Sequence, residues 1–305
     1  MTIETVPPEA AGLLDWLALT EALEAGHLLP RAEVVDGLLY RGGDTLLNRA
    51  AWIDGLGQLV KCATIFPGNA AQDMPTVNGA VTLYSDRTGQ LEALLDFHLV
   101  TRWKTAGDSL LSARRLARPD SRKFLLVGAG NVASSMVSAY GAAFPDAEFT
   151  VWARSPAAAA DFAARHPGVA VAADLQGAIA AADVICTATM AKEPVIRGDW
   201  LQPGQHLDLI GAYTPHMREV DDTALQRGRI FVDARSTTIH HIGELKIPIA
   251  AGAISEADVV ADFYDIAAGN FTRRSDAEIT IAKNGGGAHL DLMTSAYILK
   301  AWRAR

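Results

Sequence analysis

The stretch KFLLVGAGNVA, residues 123–133, decides the fold of the second half of this chain. Its apolar beginning predicts a β-strand over 123–127, and the apolar spacing that follows predicts a helix over 132–143. Between them lies a G-x-G-x-x-A pattern, whose first glycine permits a tight turn and whose second lets a pyrophosphate approach the backbone. Free N–H groups at the helix N-terminus favour the phosphate anions. We therefore predict a dinucleotide site whose cofactor-binding residues include Gly128, Gly130, Asn131 and Val132.

Strands and helices continue to alternate after this stretch. Strands are predicted over 148–152, 184–187, 206–210 and 230–233, and a helix over 156–165. Such alternation implies a parallel sheet that helices cover on both faces. The sequence therefore predicts an α/β fold with a doubly wound parallel sheet of the Rossmann type.

The end of the second strand of this sheet indicates which dinucleotide binds. A site for NAD(H) usually carries Asp or Glu there, to accept a hydrogen bond from the ribose 2′-hydroxyl. This sequence has no acid at that point but has Arg154 and Ser155. The planar guanidinium of Arg154 can pair with a 2′-phosphate, and a solvated loop position is the alternative for this side chain. NADP(H) is therefore the preferred cofactor, with NAD(H) as the alternative.

The first part of the chain has a different texture. Pro7-Pro8 and Gly26 bracket a predicted helix, and residues 35–96 form short runs separated by turn residues, which predicts a mostly antiparallel sheet. A helix over 98–117 ends at a predicted domain boundary, and the last helix is expected to return to the first domain. We thus predict a smaller α+β domain over 1–118 joined by about 288–305, and the Rossmann domain over 119–287.

Composition limits the partners of this protein. Its formal net charge is −8, with 27 Lys and Arg against 35 Asp and Glu, which argues against nucleic-acid binding. No apolar stretch approaches the ~18 residues of a membrane span, and the N-terminus lacks the pattern of a secretory signal. Cys62 and Cys186 are expected to be reduced thiols. We therefore expect a cytoplasmic protein that binds neither nucleic acid nor membrane.

An ordered set of motifs runs along most of the chain. They are Lys61–Asn69 (KCATIFPGN), Asn78-Gly79, Asp86–Gly89, Thr101–Ala106, Thr187–Thr189, Gly211–Pro215, Arg218-Glu219, Val232-Asp233 and Lys283–Leu292. Taken together, the set resembles the ornithine cyclodeaminase/mu-crystallin family. The resemblance implies that the smaller domain binds substrate and forms a homodimer, and that Thr187 contacts the cofactor. It also implies that the protein interconverts a small amino acid and its α-imino acid by hydride transfer to or from the nicotinamide.

The same resemblance implies which side chains bind the substrate. Lys61 would bind the carboxylate, because cations in a dry cleft both attract an α-imino acid and orient it. Arg41 is a second candidate, and His289 is either a proton donor or a surface residue near a helix terminus. The family usually has arginine where this chain has Lys104. We place a substrate contact at Lys104 and keep Arg102 as the alternative.

Asp233 ends an apolar strand, and open α/β sheets carry their sites at the carboxyl ends of their strands. The resemblance implies that this side chain meets the substrate nitrogen, where it either stabilises an iminium or passes a proton. An N-cap of a helix that begins near Ser236 is the alternative. Lys61 and Asp233 are therefore the predicted catalytic residues. The neighbouring His240-His241 pair lacks the ligand spacing of a metal site, and we predict no metal.

The predicted activity is the NAD(P)H-dependent reduction of a small α-imino acid, with Δ1-pyrroline-2-carboxylate to L-proline as the best match. The first alternative is an ornithine cyclodeaminase, which converts L-ornithine to L-proline plus ammonia. It is disfavoured because Asn48 and Arg49 lie where such enzymes place an acid for the distal amine. The second alternative is a mu-crystallin-like protein that binds NADPH and a ligand without turnover. Lys61, Lys104 and Asp233 favour an enzyme over such a binder.

Overall fold

A computed structural model describes residues 3–305, and it contains two β-sheets with their helices. The strands are β1 (Glu4–Val6), β2 (Glu33–Arg41), β3 (Asp44–Ile53), β4 (Gly57–Ile65), β5 (Val77–Tyr84), β6 (Leu91–Asp96), β7 (Lys123–Val127), β8 (Glu148–Trp152), β9 (Ala170–Val171), β10 (Val184–Thr187), β11 (His206–Leu209), β12 (Gly228–Val232), β13 (Val259–Ala261) and β14 (Ile279–Lys283). The α-helices are α1 (Trp16–His27), α2 (Phe97–Leu116), α3 (Asn131–Ala143), α4 (Pro156–Arg165), α5 (Leu175–Ala181), α6 (Asp222–Arg227), α7 (Arg235–Thr238), α8 (Gly243–Ala250) and α9 (Ala288–Arg303). Short 3₁₀ helices span Pro8–Leu13, Pro67–Gln72, Gly198–Trp200, Glu256–Asp258 and Phe263–Asp265.

The chain divides into two compact units, Met1–Lys104 with Gly287–Arg305, and Thr105–Gly286. The division falls inside α2, which continues without interruption to Leu116, whereas the sequence pattern places a boundary at 118–119. Turn residues predict where a helix ends. They do not predict a unit boundary that falls within a helix. The pattern therefore places the boundary later than the compact units do.

The first unit is built on a six-stranded sheet in the order β1-β6-β5-β4-β3-β2. Its strands are antiparallel except where β1 pairs with β6, so the prediction of a mostly antiparallel sheet is confirmed. Asp15 is the N-cap of α1, and its side chain accepts a hydrogen bond from Ala18 N at 2.8 Å. Helix α9 packs against α1, β3 and β4. The last helix of the chain thus covers the sheet of the first unit.

The register of this sheet separates two rows of side chains. Asp36, Arg49, Lys61 and Val81 are successive cross-strand partners, so they lie on one face. That face is buried around Leu59, Val81, Ala93 and Leu95 and packs against α9. The opposite face carries the row Val35, Ala50, Val60, Thr82 and Leu94, of which Val35, Val60 and Leu94 are exposed. Successive side chains of a β-strand point to opposite faces of the sheet. Each strand therefore contributes side chains both to the row that contains Lys61 and to the exposed apolar row.

The second unit contains an eight-stranded parallel sheet in the order β13-β12-β14-β11-β10-β7-β8-β9. Its central strands are almost entirely buried, as expected for a sheet with both faces covered. Strand β14 comes last in the sequence but lies between β11 and β12. The predicted Rossmann-type doubly wound sheet and the smaller α+β unit are confirmed.

Two further sequence predictions concern single features of the chain. Cys62 and Cys186 are both free, as predicted. Among the helices of residues 3–305, none combines the length and the apolar character that crossing a membrane requires.

Candidate active site

The glycine-rich turn of the second unit joins β7 to α3. Gly128 has φ +117°, a conformation that side-chain-bearing residues rarely adopt, and its N–H donates to Trp152 O at 2.8 Å. A Cβ on Gly128 would lie 2.5 Å from Ala188 O. The turn therefore needs glycine both for its backbone conformation and for its close contact with the loop after β10.

The remainder of this turn is suited to a pyrophosphate. Gly130 is the N-cap residue of α3, it is exposed, and a Cβ placed on it would meet no protein atom within 4 Å. Ala133 is buried, which lets the helix pack closely on the sheet. The first N–H groups of α3 have no carbonyl one turn earlier to bind, so they are available to an anion. The residues present thus fit the phosphates of a dinucleotide, with Asn131 and Val132 in the first turn.

The residues predicted to select the dinucleotide lie after β8. Arg154 is exposed, and no carboxylate of residues 3–305 forms an ion pair with its guanidinium. Ser155 caps α4, because its Oγ accepts from Ala158 N at 3.3 Å. Thr187 differs from expectation: it is fully buried at the end of β10, and its hydroxyl donates to Asp208 O at 3.5 Å. A side chain buried within the sheet is not available to a cofactor, and the accessible threonine of this motif is Thr189.

One buried carboxylate holds together the loops that follow β10 and β11. Glu219 Oε1 accepts from the backbone N and the hydroxyl of Thr189 at 2.8 and 2.7 Å. Its Oε2 accepts from Gly211 N and Ala212 N at 2.7 and 3.1 Å. Both loops leave the carboxyl ends of parallel strands, where open α/β sheets bind ligands. Glu219 therefore fixes the edge of the sheet at which the dinucleotide site is built.

Asp233 lies at the same edge, directly after β12, and is 2% exposed. Its Oδ1 accepts from Thr238 Oγ1 at 2.6 Å and from Ala234 N at 2.8 Å, and its Oδ2 accepts from Gly286 N at 2.7 Å. A Cβ on Gly285 would collide with Thr238 Oγ1, so the glycine-rich segment approaches this carboxylate closely. The alternative role as an N-cap is not seen, since α7 begins after Ala234 without a side-chain cap.

The first unit holds a cluster of charged side chains on the buried face of its sheet. Lys61 Nζ donates to Asp291 Oδ1 at 2.8 Å, and Arg49 Nη1 lies 3.4 Å from Asp291 Oδ2. Arg49 also forms two hydrogen bonds to Asp36, at 3.2 and 2.6 Å. Lys61 and Asp291 are 230 positions apart in sequence. They meet because α9 packs on β4.

The electrostatics of this cluster follow from burial and from the three cations. Burial lowers the pKa of Lys61 to about 8, Asp291 opposes that shift, and Lys104 and Arg49 add to it. Burial also opposes the ionisation of Asp291, but Lys61, Lys104 and Arg49 outweigh it and hold the pKa of this carboxyl at about 2. Asp291 is therefore ionised at neutral pH, whereas the pKa of Lys61 lies close to neutral pH.

Of the remaining substrate-binding candidates, one is buried near Lys61 and two are exposed. Lys104 is buried on α2 and interacts electrostatically with Lys61 and Asp291. Arg102 is exposed, so the alternative that the sequence left open is not part of the cluster. Arg41 is 82% exposed and pairs with Asp44 at 3.5 Å. It is five positions from Asp36, an odd number, and strand alternation therefore directs it to the opposite face of the sheet from Lys61.

His289 is buried at the start of α9, and its ring makes an edge contact with that of His27, with centroids 5.4 Å apart. The alternative of a surface position is therefore not what the structure shows. His240 is exposed and lies 3.5 Å from Glu256. Within residues 3–305 there is no group of three or more metal-ligating His, Cys, Asp or Glu side chains.

The sequence did not indicate the contacts that four residues make in these clusters: Asp291, Thr238, Glu219 and Arg49. The signal for Arg49 was present, because a hairpin closed at Asp54-Gly55 places it directly opposite Lys61. Thr238 is only five positions from Asp233, but no local pattern shows that its hydroxyl bonds to this carboxylate. The roles of Asp291 and Glu219 follow from contacts with Lys61 and Thr189, 230 and 30 positions away.

The site features agree with comparisons to known proteins. A model of the ornithine cyclodeaminase/mu-crystallin family matches residues 54–305. The chain belongs to this family. The chain is 49% identical to the Delta(1)-pyrroline-2-carboxylate reductase of Paracoccus denitrificans over 298 residues, covering 96% of this chain and 94% of that protein. The resemblance that the motifs indicated is thereby confirmed.

Solved structures show the same fold over the full length of the chain. The Delta(1)-pyrroline-2-carboxylate reductase of Thermococcus litoralis, in complex with NADH and L-proline, superposes with a TM-score of 0.90 at 23% identity, covering 99% of this chain and 98% of that one. An archaeal alanine dehydrogenase dimer with bound NAD has a TM-score of 0.90 at 26% identity, covering 100% of this chain and 97% of that one. The family fold thus includes both units of this protein.

Proposed function

We propose that this protein is an NAD(P)H-dependent reductase of a small α-imino acid, with Δ1-pyrroline-2-carboxylate as substrate and L-proline as product. The 49% identity to a reductase of that name, over 96% of the chain, supports this substrate. The geometric observation that carries the proposal is the buried cluster in which Lys61, Lys104 and Arg49 surround one carboxylate. A dry cluster of cations is suited to a small carboxylate substrate.

In the second unit, the glycine-rich turn and the N-terminus of α3 would hold the dinucleotide through Gly128, Gly130, Asn131 and Val132. The bound nicotinamide supplies the hydride that the imine carbon receives. NADP(H) is the proposed preference, because Arg154 is exposed and its charge is not compensated by an ion pair with any carboxylate of residues 3–305. Ser155 is engaged as a helix cap. The preference therefore depends on Arg154.

In the first unit, Lys61 and Lys104 would bind the substrate carboxylate. Both ammonium groups are buried, so their attraction for an anion is screened less than at the surface. Neither can provide the two-pronged grip of a guanidinium. We assign Lys61 the main role because its Nζ is fixed by Asp291, and we do not assign a substrate contact to Arg41.

Asp233 would serve the nitrogen of the imine. A carboxylate has about four lone-pair positions, and three are engaged by Thr238, Ala234 and Gly286. One position is left for an N–H donor such as that of a protonated cyclic imine. Because every partner of Asp233 is a donor, we assign it the stabilisation of positive charge on nitrogen instead of proton donation.

Ornithine fits the cluster around Lys61 less well than the cyclic imine does. An acid that could meet its distal amine, Asp36, does lie on the face of Lys61, but it already makes two hydrogen bonds with Arg49. A distal ammonium would have to compete with that guanidinium and would be repelled by it.

We also propose that the protein is a homodimer located in the cytoplasm. The outer face of the first unit's sheet exposes Val35, Leu39, Trp52, Val60 and Leu94. A continuous apolar sheet face of this kind is typical of an interface. A second copy is the proposed occupant, in keeping with the dimeric alanine dehydrogenase of the same fold. Light scattering after size-exclusion chromatography should give twice the chain mass of 32.4 kDa, and a monomer mass would contradict the dimer.

A substrate panel tests the activity. Δ1-pyrroline-2-carboxylate, linear imines formed from pyruvate or glyoxylate with methylamine, and ornithine would each be assayed with NADPH and NADH. We expect the highest kcat/KM for the cyclic imine with NADPH, and L-proline as the product. Formation of proline and ammonia from ornithine without net cofactor turnover would instead identify a cyclodeaminase. Tight NADPH binding with no turnover of any imine would identify a binding protein.

A further inference from the structure

A buried carboxylate lies beside the lysine that the proposed function assigns to substrate binding. Asp291 is in the first turn of α9 and is 0% exposed. Its Oδ1 accepts from Lys61 Nζ at 2.8 Å, and Arg49 Nη1 lies 3.4 Å from its Oδ2. An acid in the first turn of a helix is favoured by the helix dipole. The dipole does not explain why this acid is fully buried and bonded to side chains from two strands.

The surroundings of Lys61 oppose its positive charge. Arg49 approaches from β3 and Lys104 from α2, and burial removes the water that would otherwise solvate the ammonium. The ring of Phe97 lies 4.9 Å from Nζ and offers a weak attraction. Asp36 on β2 bonds to Arg49. Within residues 3–305, Asp291 is the carboxylate that bonds to Lys61.

We propose that Asp291 is a positioning residue whose negative charge keeps Lys61 in the ammonium form and whose hydrogen bond fixes Nζ for the substrate carboxylate. The inference rests on the proposed role of Lys61 in binding that carboxylate. With Asp291 in place, the pKa of Lys61 is about 8. Without Asp291, burial, Lys104 and Arg49 all lower the pKa of Lys61, which therefore falls below this value. Loss of an opposite charge at this distance corresponds to roughly 1–3 pH units.

The first experiment compares pH profiles of kcat/KM for the imino acid in the wild type, in Asp291→Asn and in the control Asp36→Asn. The charged lysine binds the carboxylate, so activity falls as the pH rises through its pKa. In Asp291→Asn this alkaline limb should move down by roughly 1–3 pH units. Asp36 touches Arg49 and not Lys61, so Asp36→Asn should leave the limb in place. Protonation of the imine itself is common to all three proteins and cancels in the comparison.

The second experiment needs no catalysis. The protein is labelled at the lysine ε-carbons, Lys61 is assigned by its loss in Lys61→Arg, and its titration midpoint is followed by NMR. The midpoint should fall in Asp291→Asn. Asp291→Glu keeps the charge but moves it, so it should give an intermediate midpoint, and it decides the matter if Asp291→Asn does not fold. An unchanged midpoint in the folded variants would overturn the inference. A wild type that reduces no imine would refute the proposed function instead, and the titration would still show whether Asp291 controls the charge of Lys61.

Discussion

The bond between Thr238 and Asp233 allows a precise test of the second unit. Thr238 is 0% exposed and its hydroxyl donates to Asp233 Oδ1 at 2.6 Å. Thr238→Val keeps the size and branching of the side chain and removes only the donor. A hydrogen bond to a charged group contributes roughly 1.5–3 kcal/mol. We therefore expect the free energy of unfolding to fall by about that amount.

The same change should affect turnover more than cofactor binding. Asp233 keeps its bonds to Ala234 N and Gly286 N, so the carboxylate stays in the site but loses the contact that fixes Oδ1. If ~1.4 kcal/mol of transition-state stabilisation is lost, kcat decreases ~10-fold. Steady-state kinetics with the cyclic imine measures kcat and KM, and NADPH fluorescence titration measures the dissociation constant of the cofactor, which should stay close to that of the wild type.

Two control variants separate this role from packing. Thr238→Ser keeps the hydroxyl and should retain most of the wild-type kcat. Thr237→Val removes a hydroxyl of the same short helix that donates to Ala234 O and not to Asp233, and it should leave kcat unchanged. A wild-type kcat in Thr238→Val, or equal losses in Thr238→Ser and Thr238→Val, would refute the reasoning.

Three further outcomes are expected. Arg154→Ala should reduce kcat/KM for NADPH ~10-fold and leave that for NADH unchanged, because one charge-assisted contact to the 2′-phosphate is lost; a fully retained preference would refute the cofactor assignment. Lys61→Ala should raise the KM for the imino acid and lower kcat, while fluorescence titration shows unaltered NADPH binding; an unchanged KM would contradict carboxylate binding by Lys61. Glu219→Gln should lower the free energy of unfolding in urea by ~2–4 kcal/mol, because an amide NH₂ would face backbone N–H donors that now meet a carboxylate oxygen; a stability equal to that of the wild type would show that the two loops do not depend on this carboxylate.

Local patterns sufficed for much of the second unit. The strands over 123–127, 148–152 and 184–187 and the helix over 156–165 have the bounds that the sequence predicts. These elements are encoded by apolar runs, turn residues and an N-cap within a few positions of one another. Strand β14 was not predicted, although Asn284 and three glycines follow it, and its central place in the sheet depends on strands far away in sequence.

The candidate site was likewise predicted only in part from the sequence. Lys61, Lys104 and Asp233 were identified from motifs, and the structure buries all three. Arg41 stays a prediction: the register places it on the opposite face from Lys61, which a single sequence does not show. Thr187 was expected at the cofactor, but its side chain is buried at the end of β10, where its hydroxyl bonds to the neighbouring strand.

The sequence by itself determined the dinucleotide turn, the doubly wound sheet and the family, because each depends on residues close together in the chain and on their order. Only the tertiary structure decided that Asp291 bonds to Lys61 and that Thr238 and Gly286 bond to Asp233. The physical reason is that the charge state and orientation of a buried group depend on which side chains surround it in space. Packing of α9 on β4 brings together residues 230 positions apart, and no local pattern encodes that contact.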